Sequence, residues 1–412
     1  YKDAVNRKSN QINIGVVNGS NLCVSGDTMI LTSQGYLNIR DNVNKSVDVW
    51  NGEEFSNVTF RMTGVDQEMM KVTFSNGCTL KCTPYHKFYI MNGKKVVKKE
   101  ASELVISDKI MKVSYPVIKK GDDDFKYPYT HGLFTADGTY SRVKTDTKQC
   151  NFRPIKGEKY CKRHIEHLQI VDDDDIVDES KCQAMSYADH PQISLYGVKK
   201  ELLSKIDYVG NVMVSEKEDR ITARLFHDIP TKFIVPINCN LDIKLSWLAG
   251  LLDGDGTVLV DGTRKALQIG SIHTEFLNNV LYMLQTMGCD PKIRPSRKAG
   301  KTLLPDGKGG KKLFDTKAMY RLQIHAFDTY KLVELGLKTF RINLKGIEKP
   351  IRSTPRPVTI TKLKNLKKKE DTFCFKEPIK HTGIFNGIVT SQCVEIVETN
   401  QRNSRSSIFN RR

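Results

Sequence analysis

The residues able to do chemistry fall into three groups along the 412-residue chain. The first is thiols: ten cysteines stand at 23, 78, 82, 150, 161, 182, 239, 289, 374 and 393. Neither a secretory leader nor a disulfide framework is expected, and such a chain keeps cysteines for nucleophilic chemistry, metal binding or core packing. The second is a pair of aspartates in repeated text. Residues 130–138 (THGLFTADG) align with 248–256 (LAGLLDGDG), which puts Asp137 and Asp255 at equivalent positions 118 residues apart. The third is a Cys/His set, Cys150, Cys161, His164 and His167, separated by ten, two and two residues, with Cys182 as an alternative fourth ligand. Tetrahedral Zn²⁺ takes such N and S ligands, and a structural Zn²⁺ would staple a segment with little apolar content. Free surface cysteines are the other reading.

These groups need elements to position them. From Cys23 to about Tyr115 the text is short alternating runs (28–32, 71–74, 87–90) separated by Gln34-Gly35, Asn51-Gly52, Asn76-Gly77 and Asn92-Gly93. That is how a compact all-β domain reads. In the middle, each repeat predicts a helix, then a strand (192–196 and 267–271), then a second helix (199–206 and 274–287). The first copy carries an insertion of 42 residues, which holds three of the cysteines. β-like text returns at 372–375 and 383–390, so one β domain is interrupted by an α/β double repeat.

Composition limits the partners. Lys and Arg number 65 against 47 Asp and Glu, a formal charge of +18. Residues 292–312 hold eight basic residues and one acid, and 338–369 hold eleven and one, so these two stretches carry nearly all of the excess. A polyanionic partner fits that balance. No apolar run approaches the roughly 18 residues that cross a bilayer, so no membrane partner is expected, and the location expected is cytoplasmic with access to DNA.

The ends of the β text resemble an intein. Cys23-Val24-Ser25-Gly26-Asp27-Thr28 is similar to an intein opening, Thr83-Pro84-Tyr85-His86 to its Thr-x-x-His block, and His381 through Ser391-Gln392-Cys393 to its C-terminal junction. The resemblance implies an all-β horseshoe splicing (Hint) domain from 23–120 and 350–392. It also implies roles. Cys23 attacks the Leu22 carbonyl to form a thioester, Thr83 and His86 assist departure of the amide nitrogen, and Cys393 accepts the acyl group. The last residue then cyclises on its own carbonyl. Inteins end in Asn preceded by His, whereas this segment ends in Gln392 preceded by Ser391. Cyclising Gln to a six-membered glutarimide immobilises one more rotor, costing roughly 0.5 to 1 kcal/mol, so slow resolution is expected, with His381 as the remaining helper. Cys374 stands where the family often has an acid.

Residues 1–22 and 393–412 resemble parts of the large (catalytic) subunit of class I ribonucleotide reductase. Removing 23–392 creates GSNLCVEIVE, and the resemblance implies Asn21, Cys393 and Glu395 as substrate-binding, thiyl-radical and catalytic residues of the spliced host, which would pair with the reductase small subunit.

The repeated text resembles LAGLIDADG homing endonucleases of the DOD type, implying that 121–349, with its Cys/His-rich insertion near 145–190, binds and cuts double-stranded DNA, the natural target being the intein-free host gene. Two helices would pack through Gly132, Ala249 and Gly250, with Asp137 and Asp255 holding Mg²⁺ at the scissile phosphates and Asp253 as a helix-end polar residue. Lys232, Arg294, Arg297, Lys298, Lys311 and Lys312 are the candidate DNA contacts, the last five bracketing a glycine-tipped hairpin. The rival readings are a splicing element with an inactive nuclease, a cleavage-only autoprocessing domain of the hedgehog type, and a reductase active without splicing.

Overall fold

The computed structural model describes residues 23–144, 187–305, 310–350 and 357–392. The described residues form two compact units: one combines 23–121 with 272–305, 310–323 and 357–392, and the other combines 122–144, 187–271 and 324–350. The mixed architecture expected from the sequence is present. The units nevertheless group with the β domain a stretch, Ile272–Gln323, that the sequence reading places in the nuclease.

The first unit is built on two antiparallel sheets. One has the order Ile360–Asn365, Met70–Phe74, Thr79–Cys82, Val24–Ser25, Glu370–Cys374, Arg61–Gln67. The other runs Ile388–Ser391, Thr382–Phe385, Met29–Thr32, Ser46–Trp50, Phe55–Thr59, with Gly35–Asn38 hairpinned onto Met29–Thr32. Both sheets therefore mix strands from the two ends of the chain. Alternation explains the strands: in Met70–Phe74 every second side chain is buried, as a half-buried sheet demands. Phe60, Phe375 and Phe385 fill the core, with Phe375 and Phe385 stacked at 5.2 Å. The same unit holds helix α3 (Thr274–Thr286), the strand pair Lys292–Arg297 with Met319–Ile324, and the hairpin Gly300–Pro305 with Lys311–Thr316.

The second unit is organised by helices α1 (Pro128–Asp137) and α2 (Leu241–Asp255). Pro128 opens α1 where a missing N–H costs nothing, and the Asn240 side chain caps α2 by accepting from the Ile243 amide at 3.0 Å. Both helices are buried nearly all round, as helices inside a core must be. Glycine lets them touch. A Cβ on Gly132 would lie 2.0 Å from the Trp247 carbonyl oxygen, and one on Gly250 would lie 2.0 Å from that of Tyr129. Each helix runs directly into a strand, at Gly138 and Gly256. The first strand joins a four-stranded sheet, Gly138–Lys144, Tyr187–Tyr196, Arg220–Arg224, Val209–Ser215, and the second forms a hairpin with Arg264–Ser271, against which α4 (Ala326–Glu334) packs. One expectation needs correction. The segment closing the first repeat is a 3-10 helix, Gly197–Lys205, rather than an α-helix. It is short, starts on a left-handed glycine (φ +50°) and buries only Leu202, so little packing favours α geometry.

A neutral imidazole ties the helix pair together. His131 of α1 is fully buried; its Nδ1 accepts from Trp247 Nε1–H of α2 at 2.8 Å, and its Nε2–H donates to the Thr231 carbonyl at 3.1 Å. Burial lowers its pKa to about 4. Below the ordinary value of 6.5 the unfolded chain takes up a proton that the folded unit refuses, so stability falls as pH drops from 6.5 towards 4, by about 3 kcal/mol in all. In a Trp50→Phe background, the urea midpoint read by Trp247 fluorescence is expected to fall over that window, and His131→Gln is expected to remove this part of the acid loss.

Candidate functional site

Three strands bring the first site together. Val24 pairs with Cys82 on one side and Phe373 on the other, which buries Cys23 completely at the head of its strand. The Cys23 amide donates to Thr83 Oγ1 at 3.4 Å, and the Thr83 amide returns a hydrogen bond to the Cys23 carbonyl at 2.9 Å. Three residues on, His86 is buried between the edges of Phe88 and Phe385, and its Nε2 meets Thr390 Oγ1 at 2.6 Å. Thr390 Oγ1 also donates to the Ser391 carbonyl at 2.9 Å. The four-residue block Thr83–His86 thus touches both ends of the segment, residues 60 and 304 positions away in sequence.

At the far end, buried Gln392 donates from Nε2 to the Glu377 carbonyl at 2.9 Å and lies 3.3 Å from His381 Nδ1; its amide reaches the His381 carbonyl at 3.4 Å. Glu377, which sequence reading overlooked, organises this corner. Its carboxylate accepts from the Ile379, Lys380 and His381 amides at 3.1, 2.7 and 2.7 Å and from Asn51 at 3.3 Å. Burial opposes its ionisation, but Ser56, the Lys380 amide, Asn51 and the Ile379 amide outweigh that and hold the carboxyl below the usual range. A loop with successive amides converging on one side chain leaves no hydrophobic signature, which is why the pattern was silent. Thr63, also overlooked, donates from Oγ1 to Cys23 Sγ at 2.9 Å. Cys374 is buried on the strand beside Cys23, its thiol directed at the Phe375 carbonyl at 3.5 Å.

The second site lies where α1 and α2 end. Asp137 Oδ2 pairs with Lys199 Nζ at 2.6 Å. Burial and then the Asp137 charge push the Asp255 carboxyl above its usual range, against Lys199, Lys232 and Arg341. Lys232 donates to the Gly138 carbonyl at 2.6 Å, and its ammonium is lowered by burial while the Asp255 and Asp137 charges oppose the shift. An open pocket beside Asp137 is lined by Gln192, Ser194, Lys199, Arg220 and Arg341. Asp253 is otherwise engaged: its carboxylate accepts from Tyr129 Oη at 2.9 Å and from the Phe340, Arg341 and Ile342 amides at 2.8, 2.9 and 3.2 Å. Arg341 caps the end of α2 by donating to the Leu252 and Gly256 carbonyls at 2.9 and 2.7 Å.

Asp137 and Asp255 are the residues that could hold a divalent cation. Burial first, and the Asp137 charge second, raise the Asp255 carboxyl, and a hard cation taking oxygen ligands would suit two neighbouring carboxylates. Among the described residues no group of three or more His, Cys, Asp or Glu is placed to hold a metal. Arg294, Arg297, Lys298, Lys311 and Lys312 lie in the first unit, on or next to Lys292–Arg297 and the Gly300–Pro305 and Lys311–Thr316 hairpin, with Lys298, Lys311 and Lys312 exposed. Asn21, Leu22, Cys393, Glu395 and the set Cys150, Cys161, His164, His167 and Cys182 lie outside the described residues.

Known proteins resemble parts of this chain. The family profile of the LAGLIDADG-like domain matches residues 242–333. The ribonucleoside-diphosphate reductase large subunit of Invertebrate iridescent virus 6 is 37% identical over 393 residues, 92% of this chain and 36% of that protein. The flanks outside 23–392 hold only 42 residues, so that relative carries a counterpart of the segment between them. This chain spans about a third of its length. Among solved structures, the PabCDC21-1 intein overlaps 24% of this chain and 74% of its own, at 17% identity and TM-score 0.21. Variants of the homing endonuclease I-DmoI overlap 51% and 94%, at 15% identity and TM-score 0.27.

Glu377→Gln would turn an NH₂ towards converging amide donors. It is expected to cost the first unit about 1 to 3 kcal/mol, read from Trp50 fluorescence in urea in a Trp247→Phe background. Lys380→Gln, which breaks only the exposed pair with Glu53 at 2.8 Å, should change it little. The similarities are those the motifs named, and the chain carries a LAGLIDADG-like domain inside a segment that it shares with a ribonucleoside-diphosphate reductase large subunit.

Proposed function

We propose that residues 23–392 are an intein that excises itself from a reductase large-subunit chain and joins Leu22 to Cys393. The observation that carries this is the reach of Thr83–His86 to both Cys23 and Thr390. The Cys23 thiolate attacks the Leu22 carbonyl carbon while Thr63 Oγ1–H stabilises its sulfur. The Leu22–Cys23 amide bond breaks as the nitrogen gains a proton from His86, leaving a thioester. Cys393 displaces Cys23 as a thiol and takes the acyl group. Gln392 Nε2 then attacks its own carbonyl carbon and loses a proton to solvent, and the Gln392–Cys393 bond breaks as the Cys393 nitrogen gains one, giving a glutarimide and a free Cys393 amine. That amine takes the acyl group from sulfur, completing a peptide bond. His381, whose Nδ1–H donates to the Glu377 carbonyl at 3.0 Å, fixes the corner in which Nε2 lies. Nε2 must first leave the Glu377 carbonyl, which adds to the rotor cost of Gln.

The second reading concerns the same chain. We infer that the LAGLIDADG-bearing part cuts double-stranded DNA, supported by the two helix-end aspartates and the cations around them. Mg²⁺ held by Asp137 and Asp255 would activate water and stabilise the leaving oxygen. Lys232 and the basic hairpin would neutralise phosphates. The spliced host, with Asn21, Cys393 and Glu395 made adjacent, would regain reductase chemistry with its small subunit, and the compartment would be the cytoplasm.

Expressed with longer flanks and followed by intact mass, the chain is expected to yield a ligated product and a 370-residue species ending in a glutarimide. Cys23→Ala should abolish ligation, and Gln392→Asn should speed the last step up to about fivefold, the rotor cost above. Ligation that survives Cys23→Ala would sink the mechanism. On a plasmid bearing the intein-free junction, Mg²⁺-dependent double-strand cleavage is expected and should be lost in Asp255→Asn; no cleavage by the parent chain would leave splicing alone.

A further inference from the structure

Helix α3 lies in the repeat that the sequence assigns to the nuclease, yet its last turn is built into the β unit. Gln285 is fully buried there. Tyr36 Oη–H donates to its Oε1 at 2.5 Å, and its Nε2–H donates to the Gly387 carbonyl at 3.2 Å. Tyr115 Oη–H donates to that same carbonyl at 3.1 Å. The Tyr282 ring packs on Tyr36 at 4.6 Å, and the Thr286 carbonyl accepts from the Ile118 amide at 2.8 Å. Just beyond the helix, the Ile293 amide donates to the Asn76 carbonyl at 2.7 Å. These contacts all lie within the first unit.

What Gln285 holds is a turn with a long lever. Asn386 and Gly387, both left-handed (φ +47° and +78°), form the two-residue connection between Thr382–Phe385 and Ile388–Ser391. Asn386 fixes one side of it, Oδ1 accepting from the Met29 amide at 2.8 Å and Nδ2 donating to the Thr79 carbonyl at 3.0 Å. Gln285 and Tyr115 fix the other. Hairpin register follows from the turn, and a one-residue slip sends every side chain to the opposite face. Register here decides whether Gln392 lies beside His381.

We propose that Gln285 is a positioning residue for cyclisation of Gln392, so that the nuclease repeat supplies a working part of the splicing fold. This rests on the splicing reading above. The test separates the two steps in the full precursor with extended flanks: thiol-induced cleavage at Leu22–Cys23 reports the thioester, and intact mass reports separation at Gln392–Cys393. Gln285→Leu is expected to leave the first step within about twofold and slow the second about tenfold, through loss of the hydrogen bonds to Gly387 and from Tyr36. Tyr115→Phe removes the other donor to Gly387 with little change of shape and should slow the same step by about threefold, which keeps the test usable if Gln285→Leu misfolds. Equal slowing of both steps in either variant, or cyclisation at the parental rate in both, overturns the proposal. A parent precursor that neither forms the thioester nor separates at Gln392 overturns the splicing reading itself.

Discussion

The first unit depends on one strand pairing, that of Val24–Ser25 between Thr79–Cys82 and Glu370–Cys374. A two-residue strand contributes few backbone hydrogen bonds, and it joins chain segments about 350 residues apart. Loop closure grows only with the logarithm of length, so the intervening residues add a modest entropic cost while the aromatic core of Phe60, Phe375 and Phe385 supplies the burial that holds the pairing. Cys23, Thr83, His86 and Thr390 are all buried, and each hydrogen-bonds to another residue of the site. The same closure places Glu377 and its amides under Gln392.

In the second unit the corresponding constraint is backbone contact between α1 and α2. Gly132 and Gly250 each face a carbonyl of the other helix at a distance that admits no Cβ, and the His131–Trp247 hydrogen bond locks the rotation. Glycine inside a helix costs about 1 kcal/mol, which the close packing offsets. The helix ends are thereby brought side by side, and two carboxylates follow. Burial, and after it the Asp137 charge, raise Asp255, and Lys199, Lys232 and the α2 cap, Arg341, oppose the shift. Asp253, two residues earlier, is spent on Tyr129 and three amides, so neighbours in sequence serve different ends.

Much of this was legible in the residues. Alternation and Asn-Gly turns located the strands, and the repeat located both helices and both aspartates, because period-2 and period-3.6 patterns are local properties. Thr63, Glu377 and Lys199 were not legible. Each acts across the fold on a partner brought near by other segments, and none lies in a periodic or motif-like context. The helix closing the first repeat was read with the wrong geometry because propensity alone does not distinguish an α-helix from a 3-10 helix over nine residues.

The sequence by itself determined which chemistry this chain can attempt: thiols at Cys23 and Cys393, Thr83 and His86 between them, Gln392 before the second thiol, and a repeated aspartate, since reactivity belongs to side-chain type. Tertiary structure decided which groups meet, that His86 reaches Thr390 and that Thr63 reaches Cys23. It also decided which compact unit holds α3. The text assigns α3 to the repeat, but buried Gln285 hydrogen-bonds to Tyr36 and Gly387, and a buried amide goes wherever its partners are.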